Sequence, residues 1–367
     1  MNPATGNRYV TAQSAANLTR VPALMFLALI CPNDVGAAAS DAAAPLFDGG
    51  TTLHLTIAAP FTTIMQTRSD TGYDDGVLTY TDASGSSQEL DIGLRTRGVY
   101  RRRKDVCDFA PLRLNFKRKE VSGTIFEGQD KIKLVTHCVS GRGRYDQYVL
   151  KEYFAYKVLQ TLTDQSFRTR LVLLTYADTA GRKRTQTRYA FLIEEKEHLA
   201  ERLQWTLENV PKIEHGALDK QQAMLVYVFE YFIGNTDFSL VLGARDKDCC
   251  HNVELFSSTP GRFIPVPYDF DLAGIVDTPY ATPNPKYKLP AVTERLYRGR
   301  CEDNDLLPET LAMFAAKEQE LRESLTRLEG LTRHRKREVR EYIEDFYEDF
   351  ETQRDLQKNF LKDCSDE

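Results

Sequence analysis

The chain of 367 residues is long enough for one large domain or for two lobes that each bury a core. Its apolar content of 42% and charged content of 28% are those of an ordinary globular protein. The net charge of −5 gives no reason to expect a nucleic-acid polymer as a partner, since the basic clusters at 101–104 and 333–337 have acidic residues nearby.

The first 45 residues have the pattern of a signal peptide followed by a flexible leader. Arg20 precedes a short apolar stretch at 21–30, and small residues follow at 36–40. This stretch is too short to span a bilayer, and no later segment is long and apolar enough to do so. We therefore expect export to the periplasm or the extracellular space, and a mature chain without a membrane span.

Residues 46–195 have the alternating apolar pattern of β-strands separated by turn residues. Strands are predicted at 51–57, 76–80, 90–97, 111–116, 131–135, 170–176 and 188–194. A helix is predicted over 148–162, where apolar side chains recur at helical spacing. We expect this part of the chain to be a β-rich lobe with one helix.

From residue 196 to residue 367 the pattern changes to that of helices. Helices are predicted at 198–202, 220–233, 309–328 and 333–361. Between them lies a loop-rich region, 234–290, which is rich in proline and glycine. We expect a mainly helical second lobe that ends in amphipathic helices.

Three short segments of this second part carry acid and amide side chains in a fixed order. Asp237 follows an apolar run, and Asn252 and Asp269 come later, each near another apolar stretch. Phosphoryl transfer needs a carboxylate near the attacking hydroxyl, together with an amide and a carboxylate on Mg²⁺. The order predicts that Asp237 accepts or orients the hydroxyl proton. Asn252 and Asp269 are predicted as metal ligands, with Asp271 as a further ligand or a supporting acid.

Each of these segments also has a purely structural interpretation. Asn and Asp side chains commonly bond their own backbone at helix ends and turns. The acids of the segment 268–271 would then simply lie in water at the end of a strand. The order of three such segments in one chain favours the functional interpretation.

With those residues in place, the chain resembles the spore-coat H (CotH) kinase-like family, an atypical branch of the protein-kinase-like fold. The resemblance covers about residues 90–300 and is carried by Arg97-Gly98 with Arg101, the segments 112–116 and 191–194, and Asp237, Asn252, Asp269 and Asp271. Uncharacterised exported bacterial relatives of that family are the most similar, through the segments 133–138, 233–237 and 266–271. Tyr268 stands where the family usually has Trp.

The resemblance implies an α+β, two-lobed, atypical protein-kinase-like fold. A nucleotide-binding lobe at 46–195 and a catalytic lobe at 196–367 would follow the leader at 1–45. ATP and Mg²⁺ (or Mn²⁺) are the implied cofactors, and the implied reaction is phosphoryl transfer to hydroxyl groups of an unidentified protein. Two alternatives stay open: an inactive pseudokinase that serves as an exported binding or structural protein, and a transferase of AMP on the same fold.

By the same resemblance, a cation in the first lobe should face the nucleotide phosphates and be held by a helix carboxylate. Lys133 and Glu152 have the right order for this pair, with Lys131 and Lys117 as alternatives for the cation. Two further predictions concern nucleotide binding. Arg97 and Arg101 are predicted to contact phosphate, and Glu194 is predicted to mark the junction where backbone groups bind adenine.

Six cysteines remain once Cys31 is removed with the leader, and an even number in an exported protein favours disulfides. We expect Cys107 to pair with Cys138, since each borders a predicted strand. Cys301 is expected to pair with one of the adjacent cysteines at 249–250. The other is expected to remain free or to pair with Cys364.

Overall fold

The computed structural model describes residues 45–244, 247–362 and 364–365. Apart from Pro45, the predicted signal peptide and leader lie outside the described residues. The described residues belong to one compact unit. None of their helices is long and apolar enough to cross a membrane.

Seven strands form a closed barrel in the order β1-β2-β3-β4-β5-β7-β6. They are β1 (Leu53–Ala59), β2 (Asp74–Thr81), β3 (Ser87–Thr96), β4 (Leu112–Phe116), β5 (Lys131–Val135), β6 (Thr169–Asp178) and β7 (Gln186–Ile193). Neighbouring strands are antiparallel except β1 and β6, whose parallel pairing closes the barrel.

The barrel is filled by apolar side chains that alternate along its strands. In β4, Leu112, Leu114 and Phe116 are buried, whereas Arg113 and Asn115 between them are partly exposed. Such alternation places every second residue on the inner face. The interior is therefore a packed core, and the chemistry-bearing side chains lie outside it.

Seven α-helices accompany the barrel in the described residues. They are α1 (Phe61–Thr67), α2 (Tyr145–Leu162), α3 (Lys196–Leu203), α4 (Lys220–Ile233), α5 (Leu307–Arg327), α6 (Arg333–Glu348) and α7 (Gln353–Leu356). Short 3₁₀ turns lie at Pro45–Phe47, His215–Ala217 and Cys301–Asp303, and a π-helical turn lies at Gln357–Leu361.

A second apolar core lies between α2, α4, α5 and α6, and is separate from the barrel core. Almost every residue of α4 is buried, as expected for a helix that is apolar on all sides. α2 packs against β7 and α5, and α4 packs against α5 and β10 (Arg262–Pro267). α4 is thus a rigid support for the segment that follows it.

A small antiparallel sheet has the order β10-β9-β8, with β8 at Thr206–Glu208 and β9 at Val253–Thr259. Pro267 of β10 lies opposite Val253 of β9. The residues just before β9 and just after β10 therefore emerge at the same end of this hairpin. Asn252 and Tyr268 are those residues, and the Tyr268 N–H donates to the Asn252 carbonyl at 3.0 Å.

The prediction of a two-lobed protein-kinase-like fold is wrong. The described residues form a closed, mixed seven-stranded barrel with a small three-stranded sheet and seven α-helices. The physical reason is the parallel pairing of β1 with β6, which joins the first and sixth strands of the chain and leaves the main sheet without a free edge. The boundary predicted near residue 195 falls between β7 and α3.

Three disulfides are present in the described residues. The predicted Cys107–Cys138 bond is confirmed. The prediction for Cys301 is wrong: it pairs with Cys364, which the backbone brings to a Cα–Cα distance of 5.1 Å. Cys249 and Cys250 are bonded to each other, so the prediction that one of them remains free or pairs with Cys364 is also wrong. The bridge at Cys301 therefore ties the end of the chain to the segment before α5.

We predict that the double substitution Cys107→Ser with Cys138→Ser lowers the free energy of unfolding by about 3–4 kcal/mol. The loop of 31 residues would no longer restrict the unfolded chain. Urea denaturation of both proteins measures the difference. Non-reducing peptide mapping is the control, and six alkylatable thiols in the wild-type protein would contradict the disulfide assignment.

Candidate active site

The segment after α4 is shaped to present Asp237. α4 ends at Gly234, whose φ of +66° is a left-handed conformation that glycine adopts without a steric penalty. The side chain of Asn235 then accepts a hydrogen bond from the Asp237 N–H at 2.9 Å. Its amide donates to the buried carboxyl of Glu230 at 2.8 Å. Asp237 is thus held by a chain of bonds that begins inside α4.

Burial raises the pKa of Glu230 to about 8. Its carboxyl is therefore largely protonated at neutral pH, which removes a negative charge from the vicinity of Asp237. Arg298 supports the same segment from the other side, because its Nη1 donates to the carbonyls of Thr236 at 3.2 Å and Phe238 at 2.8 Å. Sequence analysis did not identify Glu230, Asn235 or Arg298 as supports for Asp237.

Asp237, Asn252 and His251 form one hydrogen-bonded network. The Asn252 amide Nδ2 donates to the Asp237 backbone carbonyl at 2.7 Å and to its Oδ2 at 3.0 Å. His251 Nε2 lies 2.9 Å from the other carboxylate oxygen, and this hydrogen bond raises the pKa of His251 above its ordinary value of 6.5. Because the Asn252 amide nitrogen faces Asp237, its Oδ1 remains a hard-oxygen acceptor directed elsewhere.

The β9–β10 hairpin places Asp269 near this network. Asn252 and Asp269 both have left-handed backbones, with φ of +55° and +66°. Asn and Asp are among the few residues that tolerate this conformation, and it is found often at functional sites. The Asp269 N–H donates to the hydroxyl of the buried Tyr156 of α2 at 2.9 Å. Asp269 directly follows Tyr268, whose N–H donates to the Asn252 carbonyl, so the backbone of Asp269 lies beside Asn252.

A buried cluster of charges lies next to Asp269. Arg101, from the loop between β3 and β4, lies 3.9 Å from Asp271 and 3.9 Å from Glu152 of α2. It also donates to the Thr136 carbonyl. The Tyr280 hydroxyl donates to Asp271 Oδ2 at 3.0 Å. Arg101 thus connects the barrel, α2 and the segment after β10 through buried side chains.

The acidic groups in this cluster outnumber the cations that contact them. Burial, reinforced by the charge of Asp269, raises the pKa of Asp271 to about 6. Burial and the neighbouring Asp271 also raise the pKa of Glu152 well above its ordinary value. The positive charge of Arg101 only partly offsets these effects. The site therefore favours the arrival of a further cation.

The cation that contacts Glu152 is Arg101. The ion pairs of the described residues do not include one between Lys133 and Glu152. Lys133 instead lies over the rings of Tyr268 at 5.2 Å and Phe167 at 5.7 Å. Burial lowers the pKa of Lys133, which also interacts with the charge of Arg97. The charge of Arg97 adds to the burial that lowers the pKa of Lys133 and opposes the burial that raises the pKa of Glu152.

Glu194 has a different environment. Its carboxylate forms an ion pair with Arg202 at 3.0 Å and accepts the Arg168 N–H at 3.0 Å. Its own N–H donates to the Arg168 carbonyl at 2.9 Å. These contacts fasten the end of β7 to the start of β6. Glu194 therefore contacts Arg168 and Arg202, and these contacts do not include Asp237, Asn252 or Asp269.

The oxygen donors do not form a closed metal cage. Among residues 45–244, 247–362 and 364–365, no group of three His, Cys, Asp or Glu side chains is arranged to hold a metal ion. The hard donors that do converge are carboxylates and the Asn252 amide, and these suit Mg²⁺ or Mn²⁺ when phosphate oxygens complete the coordination.

No protein-family model matches the sequence, and no curated protein sequence matches it. The resemblance to the CotH family stays a hypothesis carried by the residues named above.

We predict that Asp271 makes a contribution to stability that is lost as the pH rises through about 6, and that Asp271→Asn removes this contribution. The pKa of Asp271 is raised from 3.8 to about 6 in the folded state. The folded state therefore binds the proton more tightly than the unfolded chain, and this contribution is present at low pH and lost above the folded pKa.

The difference in unfolding free energy between the two proteins should change by at most about 3 kcal/mol between pH 4 and pH 7. Urea denaturation at a series of pH values measures it. A difference that stays constant with pH would show that the pKa of Asp271 is not raised in the folded protein.

Proposed function

We propose that this protein is an exported, divalent-cation-dependent phosphotransferase that uses ATP as donor and a protein hydroxyl as acceptor. The observation that carries the proposal is the position of Asp237, Asn252 and Asp269 at one end of the β9–β10 hairpin. Asn252 bonds Asp237 there, and the residue before Asp269 donates to Asn252. The three side chains are the carboxylate and amide groups that phosphoryl transfer requires. The three disulfides support the export part of the proposal.

The residues present fit a divalent cation with a nucleotide. Asp269 and the free oxygen of Asn252 would hold the ion, with Asp271 as a third ligand or a supporting acid. Bound Mg²⁺ or Mn²⁺ would neutralise phosphate charge and the charge of Asp271 and Glu152, whose pKa values are raised by burial and by the neighbouring acids. Because the described residues offer few ligands, phosphate oxygens are expected to contribute the rest.

Asp237 is the proposed general base. It is partly exposed, so an acceptor hydroxyl can reach it, and its two carboxylate oxygens are oriented by His251 and Asn252. Asp237 would take the proton of the acceptor hydroxyl as that oxygen bonds to the γ-phosphorus. The bond from this phosphorus to the leaving oxygen of ADP breaks at the same time. The raised pKa of His251 favours its charged form, which helps to keep Asp237 ionised.

Arg97 is the better candidate for direct phosphate contact. Its side chain is partly exposed and takes part in none of the ion pairs of the described residues. Guanidinium groups suit phosphate oxygens. Arg101 is already paired with Glu152 and Asp271, so we assign it the role of positioning those acids. Lys133 remains a further candidate beside Arg97.

We predict that Asp269→Ala abolishes the stabilisation of the fold by ATP with Mg²⁺. Wild-type protein should gain about 2.7 kcal/mol when ligand is present at ~100 times its dissociation constant. Thermal shift with and without the metal measures the gain. Asp277→Ala is the matched control, because Asp277 is exposed and also has a left-handed backbone, with φ of +50°. Unchanged stabilisation of the Asp269→Ala protein would refute the assignment.

We predict that Asp237→Asn leaves nucleotide binding intact but slows transfer by about 10²–10⁴-fold, the usual contribution of a general base. The change keeps the size of the side chain and removes its charge. Mass spectrometry of an acceptor protein measures the rate and separates phosphate from AMP adducts. Asp248→Asn, at an exposed position of the same region, is the control. Transfer at the wild-type rate would assign the base to another residue.

A further inference from the structure

A cleft of about 640 Å³ lies beside the Asp237 segment and is lined in part by residues 239–242, which follow that segment in the chain. Its volume lies within the range of ligand pockets. The backbone of residues 239–242, which lines the cleft, is hydrogen-bonded to His251 of the candidate site. The Ser239 N–H donates to the His251 carbonyl, and the His251 N–H donates to the Leu242 carbonyl, both at 3.0 Å. The cleft and the proposed base therefore share one piece of backbone.

Arg298 connects the two sites directly. It lines the cleft, and its Nη1 holds the carbonyls of Thr236 and Phe238 on either side of Asp237. Its guanidinium lies 4.3 Å from the Phe238 ring centre and 4.9 Å from that of Tyr287. A ligand in the cleft would thus touch the residue that fixes the position of the base.

The cleft has an excess of positive charge. Among the described residues, Lys212, Lys286, Arg298 and Arg300 line it, and Glu214 is the one acid in this lining. Arg300 is paired with Glu302 at 3.1 Å through Nη2, so part of its charge is already balanced. Lys212 and Lys286 are exposed and take part in none of the ion pairs of the described residues. The charge of the lining indicates an anionic ligand.

Apolar and aromatic groups lie beside these charges. Leu242 is 55% exposed, which is unusual for a large apolar side chain in this protein. The rings of Tyr227, Tyr287 and Tyr297 line the same cleft. Aromatic side chains beside arginine are typical of surfaces that bind polypeptide.

We propose that this cleft binds an acidic segment of the acceptor polypeptide, with carboxylates on the basic groups and an apolar or aromatic side chain against Leu242 and the tyrosines. The inference rests on the proposed function, since it names the acceptor class of the same site. It also gives the cleft a role in catalysis: a segment anchored there lies next to the Asp237 backbone, where an attached hydroxyl is delivered to the base.

The test is fluorescence anisotropy with a labelled peptide of glutamates carrying one leucine and one tyrosine, compared with a peptide that has lysine in place of each glutamate. Wild-type protein should bind the acidic peptide, more weakly at high salt, and not the basic one. The double substitution Lys212→Glu with Lys286→Glu should weaken binding at least about tenfold, because like charges then face each other. Both lysines are exposed, so the fold should tolerate the change.

The matched control is Lys119→Glu with Lys183→Glu, which changes the net charge equally at two exposed positions outside the cleft. It should bind the acidic peptide like wild type. Equal binding of both peptides, no binding by wild type, or full affinity in the Lys212→Glu, Lys286→Glu protein would overturn the proposal. The assay contains no nucleotide. Stabilisation by ATP with Mg²⁺ is measured separately, so failure of the docking proposal and failure of the phosphotransferase proposal can be told apart.

Discussion

The candidate site depends on the ionic contacts of the buried Arg101 guanidinium. Arg101 lies in the loop after β3, and its side chain contacts acids from α2 and from the segment after β10. Removing one partner from a buried ionic cluster leaves uncompensated charge, at a cost of about 3–5 kcal/mol. Arg101 therefore fixes where Asp271 lies, and through the short segment 269–271 it constrains Asp269. The surplus of carboxylates around it keeps this corner of the molecule receptive to a cation.

The sequence predicted which residues of the candidate site lie together better than it predicted the fold. Asp237, Asn252 and Asp269 could be picked out because each follows or precedes an apolar element, and the hairpin brings them together. The barrel could not be foreseen, because alternation within a strand shows which face is buried but not which distant strand pairs with it. The pairing of β1 with β6, which closes the barrel, joins two strands that are far apart in the sequence.

The same limit applies to individual partners. Lys133 and Glu152 have the spacing of a cation and its acid, yet Arg101 occupies the position next to Glu152 because the loop after β3 folds inward. Cys301 pairs with Cys364 because the last described residues return to the segment before α5, as the contact of Ser365 with Gly299 shows. Such contacts depend on tertiary packing and leave no periodic signal. The contacts by which Asn235 and Arg298 hold the Asp237 segment also depend on tertiary packing.

The central claim is that Asp269 and Asn252 hold a divalent ion together with nucleotide phosphates while Asp237 remains free for the acceptor. A crystal structure with Mn²⁺ and a non-hydrolysable ATP analogue tests it most directly, because the anomalous signal of the metal locates it independently of the protein. We expect the ion within coordination distance of an Asp269 oxygen and of Asn252 Oδ1, about 2.0–2.2 Å for a small divalent cation. Asp237 should lie outside that distance. An ion bound elsewhere, or a nucleotide that avoids this end of the hairpin, would contradict the account.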